Sequence, residues 1–365
     1  MEDKKSSRDK VLALLESKKG SYISGEEIAA ALGISRTAVW KAVNGLRRDG
    51  YMIDSVTNRG YCLSHGSDIL SETVLRRYLH DCPPVVLDVF DTVDSTNTVC
   101  LQRASSGDRS TYAAVAGGQT RGRGRRGRSF FSPDGTGLYM SILLRPEGLQ
   151  ADQAVRFTTV AAVAVSEAIE DVSGKTASIK WVNDIYVSGR KACGILTEAS
   201  FNPEDGTLDY AVVGIGINVY EPQGGFPEDI KDRAGALDGP VSRQSSQSAH
   251  DIAEVNKVLE NGGRNRLAAE ILNRFFSYLD DDLTPSASSV SGASLKASGS
   301  GTAPRYAAEY RRRCFVIGMD VDVIKAGSEP REAHVLGVDD ECRLEVRYSD
   351  GKEETLSSGE ISIRL

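Results

Sequence analysis

Gln119-Thr-Arg-Gly-Arg-Gly-Arg-Arg-Gly-Arg128, then Phe130-Phe-Ser-Pro-Asp-Gly135 and the apolar run Leu138-Tyr-Met-Ser-Ile-Leu-Leu144, is the stretch on which the reading of this chain turns. Gly122, Gly124 and Gly127 have the G-x-G-x-x-G spacing of a dinucleotide-binding loop. That fingerprint must open a helix, whose N-terminus holds the pyrophosphate, whereas this loop leads into a strand. A dinucleotide-binding fold is therefore excluded, and no Walker A pattern occurs. What the loop offers is backbone that can approach an anion closely, with closely spaced arginines that repel one another until a polyanion arrives. It is expected to be mobile when empty and ordered over bound phosphate. The alternative is a disordered Arg/Gly tract that binds RNA, which is usually longer and lacks flanking strands.

Around the loop, strand-like runs at 85–90, 112–116, 138–144 and 211–219 alternate with a long helix over about 152–172. This is an α/β pattern, here an α+β catalytic domain with a mixed sheet. Towards the N-terminus, residues 8–16 form a short amphipathic helix, and Ser24 with Glu27 makes a capping box for a second helix that stops at Gly33. Ser35 caps a third, over 35–49, with Val39, Val43 and Leu46 on one face and Arg36, Thr37, Trp40, Lys41 and Asn44 on another. Two short helices joined at a glycine turn make a helix-turn-helix, and the strand-like runs around Thr57-Asn-Arg-Gly60 make a wing with Arg59 at its tip. Ser35, Arg36, Thr37, Trp40, Lys41, Asn44 and Arg59 are the candidate DNA contacts. A helical protein-interaction module is the alternative.

Composition agrees with a two- or three-domain soluble protein: 365 residues, 40% hydrophobic and 26% charged, with a net charge of −7. Residues 1–65 carry 11 Lys+Arg against 8 Asp+Glu, and the rest 33 against 43, which suits a nucleic-acid-binding head on an acidic body. The weak basic excess favours a dimer on two half-sites over a tightly bound monomer. No apolar run approaches the roughly 20 residues of a membrane span, and Met1-Glu-Asp-Lys-Lys lacks a signal core, so a cytoplasmic protein without membrane contact is expected. Six cysteines without a C-x-x-C pair indicate reduced thiols, neither a disulfide framework nor a zinc cluster.

Five motifs then occur in register: Asp94-Ser-Thr-Asn97, Gln119 with the 122–127 loop, Lys180-Trp-Val-Asn-Asp184, Arg190-Lys-Ala-Cys-Gly194 running on to Glu198, and Gly214-Ile-Gly-Ile-Asn218. With the winged helix and the ending Ser358-Gly-Glu-Ile-Ser362, the chain resembles the bifunctional biotin protein ligases that also act as biotin operon repressors. The resemblance implies that biotin and ATP form biotinyl-5'-AMP, and that biotin then passes to a lysine of a biotin carboxyl carrier domain of acetyl-CoA carboxylase or a related biotin enzyme. Both steps gather negative charge, which calls for fixed cations and backbone amides. On the matching positions, the resemblance implies Arg125, Lys191 and Lys180 as catalytic residues. For biotin it implies Ser95, Thr96, Asn97, Gln119, Arg123, Gly124, Arg125, Lys191, Gly194 and Gly214, the last two letting strand backbones touch the ring system. For ATP and Mg²⁺ it implies Arg123, Lys180, Asn183, Asp184 and Asn218, with Asn183 and Asp184 on the metal. Operator DNA of biotin genes and a homodimer in the adenylate-bound state are the implied partners.

Read singly, each motif keeps a plain alternative: Ser95-Thr-Asn97 a helix cap, Asn183-Asp184 a turn, Gly214-Ile-Gly216 a packed strand, Lys180 and Lys191 solvated lysines. Departures from the family pattern are Val182 for a usual proline, Arg121 for a small residue, Phe130 for a frequent tryptophan, and Leu356 where an aromatic would cover the adenylate. The expected division is 1–66 winged helix-turn-helix, 67–312 catalytic domain with insertions about 242–263 and 284–303, and 313–365 an SH3-like β-barrel, with a helix over about 266–279 between the insertions. Rival functions are a ligand-sensing regulator without catalysis, a lipoate-attaching enzyme, and a ligase whose winged helix is vestigial.

Overall fold

Three serines start the first three helices of the computed structural model, which describes residues 6–146, 148–240, 257–283, 304–325, 328–357 and 360–363. Ser6 and Asp9 form a capping box on α1 (Ser7–Ser17), and Ser24 and Glu27 form one on α2 (Gly25–Leu32). Ser35 accepts from the Ala38 amide at the start of α3 (Arg36–Arg48). Such caps satisfy amide donors that a helix end leaves orphaned. Gly33, at φ 64, ends α2 in the left-handed conformation and turns the chain into α3. Val11, Leu12, Leu15, Ile28, Val39, Val43 and Leu46 close a small core. The wing is β1 (Ile53–Val56) paired antiparallel with β2 (Gly60–Leu63).

The boundary expected between residues 66 and 67 is closely packed. Ser67 is buried, with its hydroxyl on the Met52 amide and its carbonyl on Lys19 Nζ at 2.6 Å. Next to it Asp68 is buried against Arg264, Nε to Oδ2 2.9 Å, and accepts from Tyr220 Oη at 2.6 Å. The head thus meets the body through α4 (Glu72–Leu75), which packs on both α1 and α8, beside a buried ion pair of the body.

The body is a seven-stranded mixed sheet of β3 (Val86–Val93), β4 (Tyr112–Gln119), β5 (Gly137–Leu144), β6 (Ala177–Lys180), β7 (Asp184–Val187), β8 (Arg190–Phe201) and β9 (Leu208–Asn218). The strand order is β3-β4-β5-β9-β8-β7-β6, with β3 and β4 parallel across α5 (Thr96–Ser105) and the other pairs antiparallel. All eight residues of β5 are buried, which is why it reads as one apolar run rather than an alternation. One face carries α6 (Val155–Ser173) and, packed against it, α8 (Gly263–Leu283), preceded by the short α7 (Lys257–Glu260). On the other, Cys100 and Ala104 of α5 pack with Tyr112, Ala114, Leu143 and Val212.

The helix expected over about 266–279 is longer at both ends. The end of the expected polar insertion about 242–263 folds as α7, with Val258 and Leu259 buried, so burial begins earlier than the polar sequence implied. Residues 242–256 of that insertion, the stretch 284–303, and Ser358 and Gly359 lie outside the described residues.

Past α9 (Arg305–Arg313) comes a five-stranded antiparallel sheet of β10 (Asp320–Ile324), β11 (Arg331–Val338), β12 (Leu344–Tyr348), β13 (Glu353–Leu356) and β14 (Glu360–Ile363), in the order β13-β12-β11-β10-β14. The expected barrel is not closed, because β13 and β14 stand at opposite edges and do not pair among the described residues. The sheet is nonetheless strongly curled. Four peptide steps from Leu356 to Glu360 reach at most about 14 Å, whereas the edges of a flat five-stranded sheet lie about 19 Å apart.

Candidate active site

The N-terminus of α5, the end of β4, the first half of β8, the end of β9, the arginine loop and the β6–β7 turn enclose a cleft open to solvent. Its inner end is neutral and hydrogen-bonded. Gln119 Oε1 accepts from the Thr96 amide at 2.9 Å, and Gln119 Nε2 donates to Ser132 Oγ at 3.1 Å. Ser141 Oγ lies 2.6 Å from Asn97 Oδ1 and 2.7 Å from Thr96 Oγ1. An amide oxygen only accepts, so the Ser141 proton points to Asn97 and Thr96 donates to Ser141. Asn97 Nδ2 donates to Glu198 Oε2 at 2.8 Å. Ser95 occupies the helix-cap position, but its side chain makes no capping bond, which leaves the hydroxyl for the cleft.

The outer end is cationic. A 3-10 turn at Arg125–Gly127 folds the arginine loop back on itself, with the Gly124 amide donating to the Arg128 carbonyl at 2.7 Å and the Phe130 amide to the Gly122 carbonyl at 2.9 Å. The loop charge, expected to be uncompensated, has partners: Arg123 Nη2 lies 2.8 Å from Glu198 Oε1, and Arg125 Nη1 donates to Asn183 Oδ1 at 3.0 Å. Lys191 Nζ is 2.6 Å from Asp184 Oδ1. Beside it, burial pushes the Cys193 thiol far above its ordinary value, so this sulfur stays protonated and is no nucleophile. Lys180, Arg126 and Arg128 also line the cleft.

The Trp181–Val182 peptide, inside the motif where valine stands for the usual proline, is cis. Trp181 Nε1 donates to the Cys342 carbonyl at 3.0 Å and Tyr310 Oη to the Val182 carbonyl at 3.0 Å, so the C-terminal part of the chain holds this wall.

Residues 89–218 match the biotin/lipoate A/B protein ligase family, residues 7–62 an HTH domain, and residues 316–364 the biotin protein ligase C-terminal domain. The bifunctional ligase/repressor BirA of Bacillus subtilis is 37% identical over 231 residues, which span 63% of this chain and 70% of that protein. The chain belongs to the biotin protein ligase family. Its similarity extends to bifunctional ligase/repressor BirA of Escherichia coli, at 35% identity over 213 residues, 58% of this chain and 63% of that one. Among solved structures, the biotin protein ligase of Aquifex aeolicus in complex with biotin and ATP superposes with a TM-score of 0.53 at 26% identity, covering 76% of this chain and 98% of that one.

Of the residues singled out in this family pattern, Ser95, Thr96, Asn97, Gln119, Arg123, Gly124, Arg125, Lys180, Asn183, Asp184, Lys191, Gly194 and Gly214 converge on the cleft. Asn218 does not line it. Its amide donates to the Gly235 carbonyl at 3.0 Å, and the Gly235 amide donates to the Lys191 carbonyl, so Asn218 braces the Lys191 backbone from behind. Gly194 and Gly214 do not present open strand backbone: Asn97 fills the space over Gly214, and Phe130 and Lys191 that over Gly194. Leu356 is buried in the core, and Ile361 is the residue of this part of the chain that lines the cleft among the described residues. Asn183 and Asp184 are engaged by Arg125 and Lys191, and no group of three metal-ligating side chains occurs among the described residues.

Sequence reasoning gave no role to Ser141, Trp181, Glu198 or Ile361. A lone serine in the otherwise apolar Leu138–Leu144 run was the one available signal. In the head, Arg36, Thr37, Trp40 and Lys41 are exposed on α3 with Ser35, and Asn44 is half-buried. Arg59 is not free at the wing tip, because its guanidinium stacks 4.3 Å from the centre of the Tyr22 ring.

Proposed function

We propose that this chain is a biotin protein ligase that forms biotinyl-5'-AMP from biotin and ATP, transfers biotin to a lysine of a biotin carboxyl carrier domain, and represses biotin genes through its winged helix-turn-helix. The observation that carries the reading is one cleft with a neutral hydrogen-bonding end and a cationic end. A ureido ring offers both donors and a strong acceptor, which Ser95, Thr96, Asn97 and Gln119 match. The dithiolane ring of lipoate offers neither, and a polar pocket rejects a ligand that leaves its groups unpaired.

The biotin carboxylate attacks the α-phosphorus of ATP and pyrophosphate leaves. The acceptor amine then attacks the acyl carbon, and AMP leaves. Lys191 and Lys180 offset the charge as carboxylate and phosphate meet, and Arg123 and Arg125 hold the phosphoryl oxygens. Mg²⁺ arrives on the ATP phosphates, as its preference for phosphate and water ligands dictates.

The head places α3 in the major groove of operator DNA, with half-sites engaged by a homodimer of adenylate-bound chains. The units are 1–66, 67–312 and 313–365, the last an SH3-like barrel whose curl stops short of a paired seam. A cytoplasmic setting accords with six free thiols, five of them buried, and with the lack, among the described residues, of a helix long and apolar enough to cross a membrane. Pyrophosphate release is the test: biotin with Mg·ATP should support it and lipoate should not. Release independent of biotin, or equal with lipoate, refutes the assignment. DNA binding that never responds to biotin and ATP reduces the head to a structural remnant.

A further inference from the structure

Glu198 is an acid where the chemistry calls for none. Biotin's carboxylate and the ATP phosphates are both repelled by a carboxylate, yet Glu198 stands directly behind the cleft lining, bonded to two residues that line it, Asn97 and Arg123. Its two oxygens are divided between the halves of the site. Oε1 is 2.8 Å from Arg123 Nη2, and Oε2 accepts from Asn97 Nδ2 at 2.8 Å. Behind Asn97 the chain of bonds runs to Ser141 and the Thr96 hydroxyl, and the Thr96 backbone amide donates on to Gln119, so this carboxylate joins the loop to the neutral pocket.

Resting on the adenylation reading, we propose that Glu198 is a positioning residue that couples the two halves of the site. It orients the Asn97 amide towards the ring pocket and holds the Arg123 guanidinium at the mouth of the cleft, ready for phosphate. The pair is well placed for a hand-over. Arg123 is 44% exposed and Glu198 24%, so their attraction is screened by water and yields when a phosphate competes for the guanidinium. Arg123 then reaches phosphate from a fixed starting point, without the ordering cost of a long side chain recruited from solvent.

The experiment uses the full chain and separates the two contacts. Glu198→Gln keeps an oxygen for Asn97 and loses the charge that holds Arg123. It should lower kcat for pyrophosphate release about tenfold and leave the biotin KM within about twofold. Glu198→Ala, which loses both contacts, should in addition raise the biotin KM about tenfold or more. In an Arg123→Ala background Glu198→Gln should have no further effect, because a residue that acts through Arg123 has nothing left to position. A full tenfold loss in that background overturns the proposal. So does a rate increase in Glu198→Gln, which would make Glu198 an electrostatic brake, or a variant that fails to fold, which would make it a stability residue. Absence of biotin-dependent pyrophosphate release in the unsubstituted protein is a different result, and it removes the ligase reading itself.

Discussion

Gly214→Ala is a perturbation of one methyl group whose consequence is set by the cleft geometry. A Cβ at Gly214 would overlap Asn97 Oδ1, and would lie 2.8 Å from Asn97 Cγ and 3.0 Å from Nδ2. Asn97 has nowhere to retreat: it is buried, with Ser141 Oγ at 2.6 Å on its oxygen and Glu198 at 2.8 Å on its nitrogen. Forcing a methyl into a packed interior costs about 1–3 kcal/mol. Stranding a buried polar partner costs about 1–3 kcal/mol more. A net destabilisation of about 2–6 kcal/mol, the sum of the two, lowers Tm by roughly 2–4 °C per kcal/mol in a domain of this size. Displacing Asn97 also removes one of the ring contacts, and a loss of about 2 kcal/mol is about 30-fold in Kd. Gly216→Ala is the matched comparison. Its Cβ would lie 2.9 Å from Phe130 Cε1, the edge of a half-buried ring on a rim loop that can swing aside. That variant should stay within about fivefold of the unsubstituted protein, equivalent to about 1 kcal/mol. Calorimetric titration with biotin and thermal denaturation read both effects. A Gly214→Ala protein that binds biotin with unchanged Kd, or a Gly216→Ala protein damaged more than it, refutes the placement of Asn97.

Lys191→Ala should cut biotin-dependent pyrophosphate release by about a hundredfold or more, the usual scale for one electrostatic stabiliser, and it strands the half-buried Asp184 carboxylate. An unchanged rate removes Lys191 from the mechanism. Asp68→Asn breaks the buried pair with Arg264 at the joint of head and body, and should destabilise the protein by about 3–5 kcal/mol in denaturant melts; a change under about 1 kcal/mol would mean the joint is held by packing alone. The thiols should be inert in the native state. Burial pushes Cys82, Cys100 and Cys342 up to about 12 and Cys314 to about 11, with Cys62 and Cys193 also raised. Iodoacetamide at pH 8 should therefore label none of the six before unfolding and all six after it, read by intact mass.

The parts of the molecule legible in its sequence are those set by local rules. Ser24 with Glu27, and Ser35 three residues before Ala38, are capping signals that act within one helical turn. The glycine loop was separable from a nucleotide-binding turn because it runs into the strand β5 rather than a helix. What stayed hidden depends on contacts distant in sequence. The strands β6 and β7 alternate in burial but are only four residues long, and the polar and glycine-containing β8 does not alternate cleanly, so the pattern was too short to announce them. Asn218 sits in the right motif but turns to Gly235, and only the register of β9 decides which way it points. Leu356 and Ile361 are five positions apart, and the choice of which reaches the cleft depends on the curl of the C-terminal sheet. Glu198 lay in a quoted motif without a role because its partners, Asn97 and Arg123, come from α5 and the loop.

The central claim is biotin transfer to an acceptor lysine by this one chain. The direct measurement is intact mass spectrometry of a biotin carboxyl carrier domain incubated with the protein, biotin and Mg·ATP, with controls lacking ATP, lacking biotin, and with lipoate in place of biotin. The mass of one biotinyl group should be added at the acceptor lysine in the complete reaction alone. An unmodified acceptor in the complete reaction, or a lipoyl group transferred as readily as a biotinyl group, would contradict that claim.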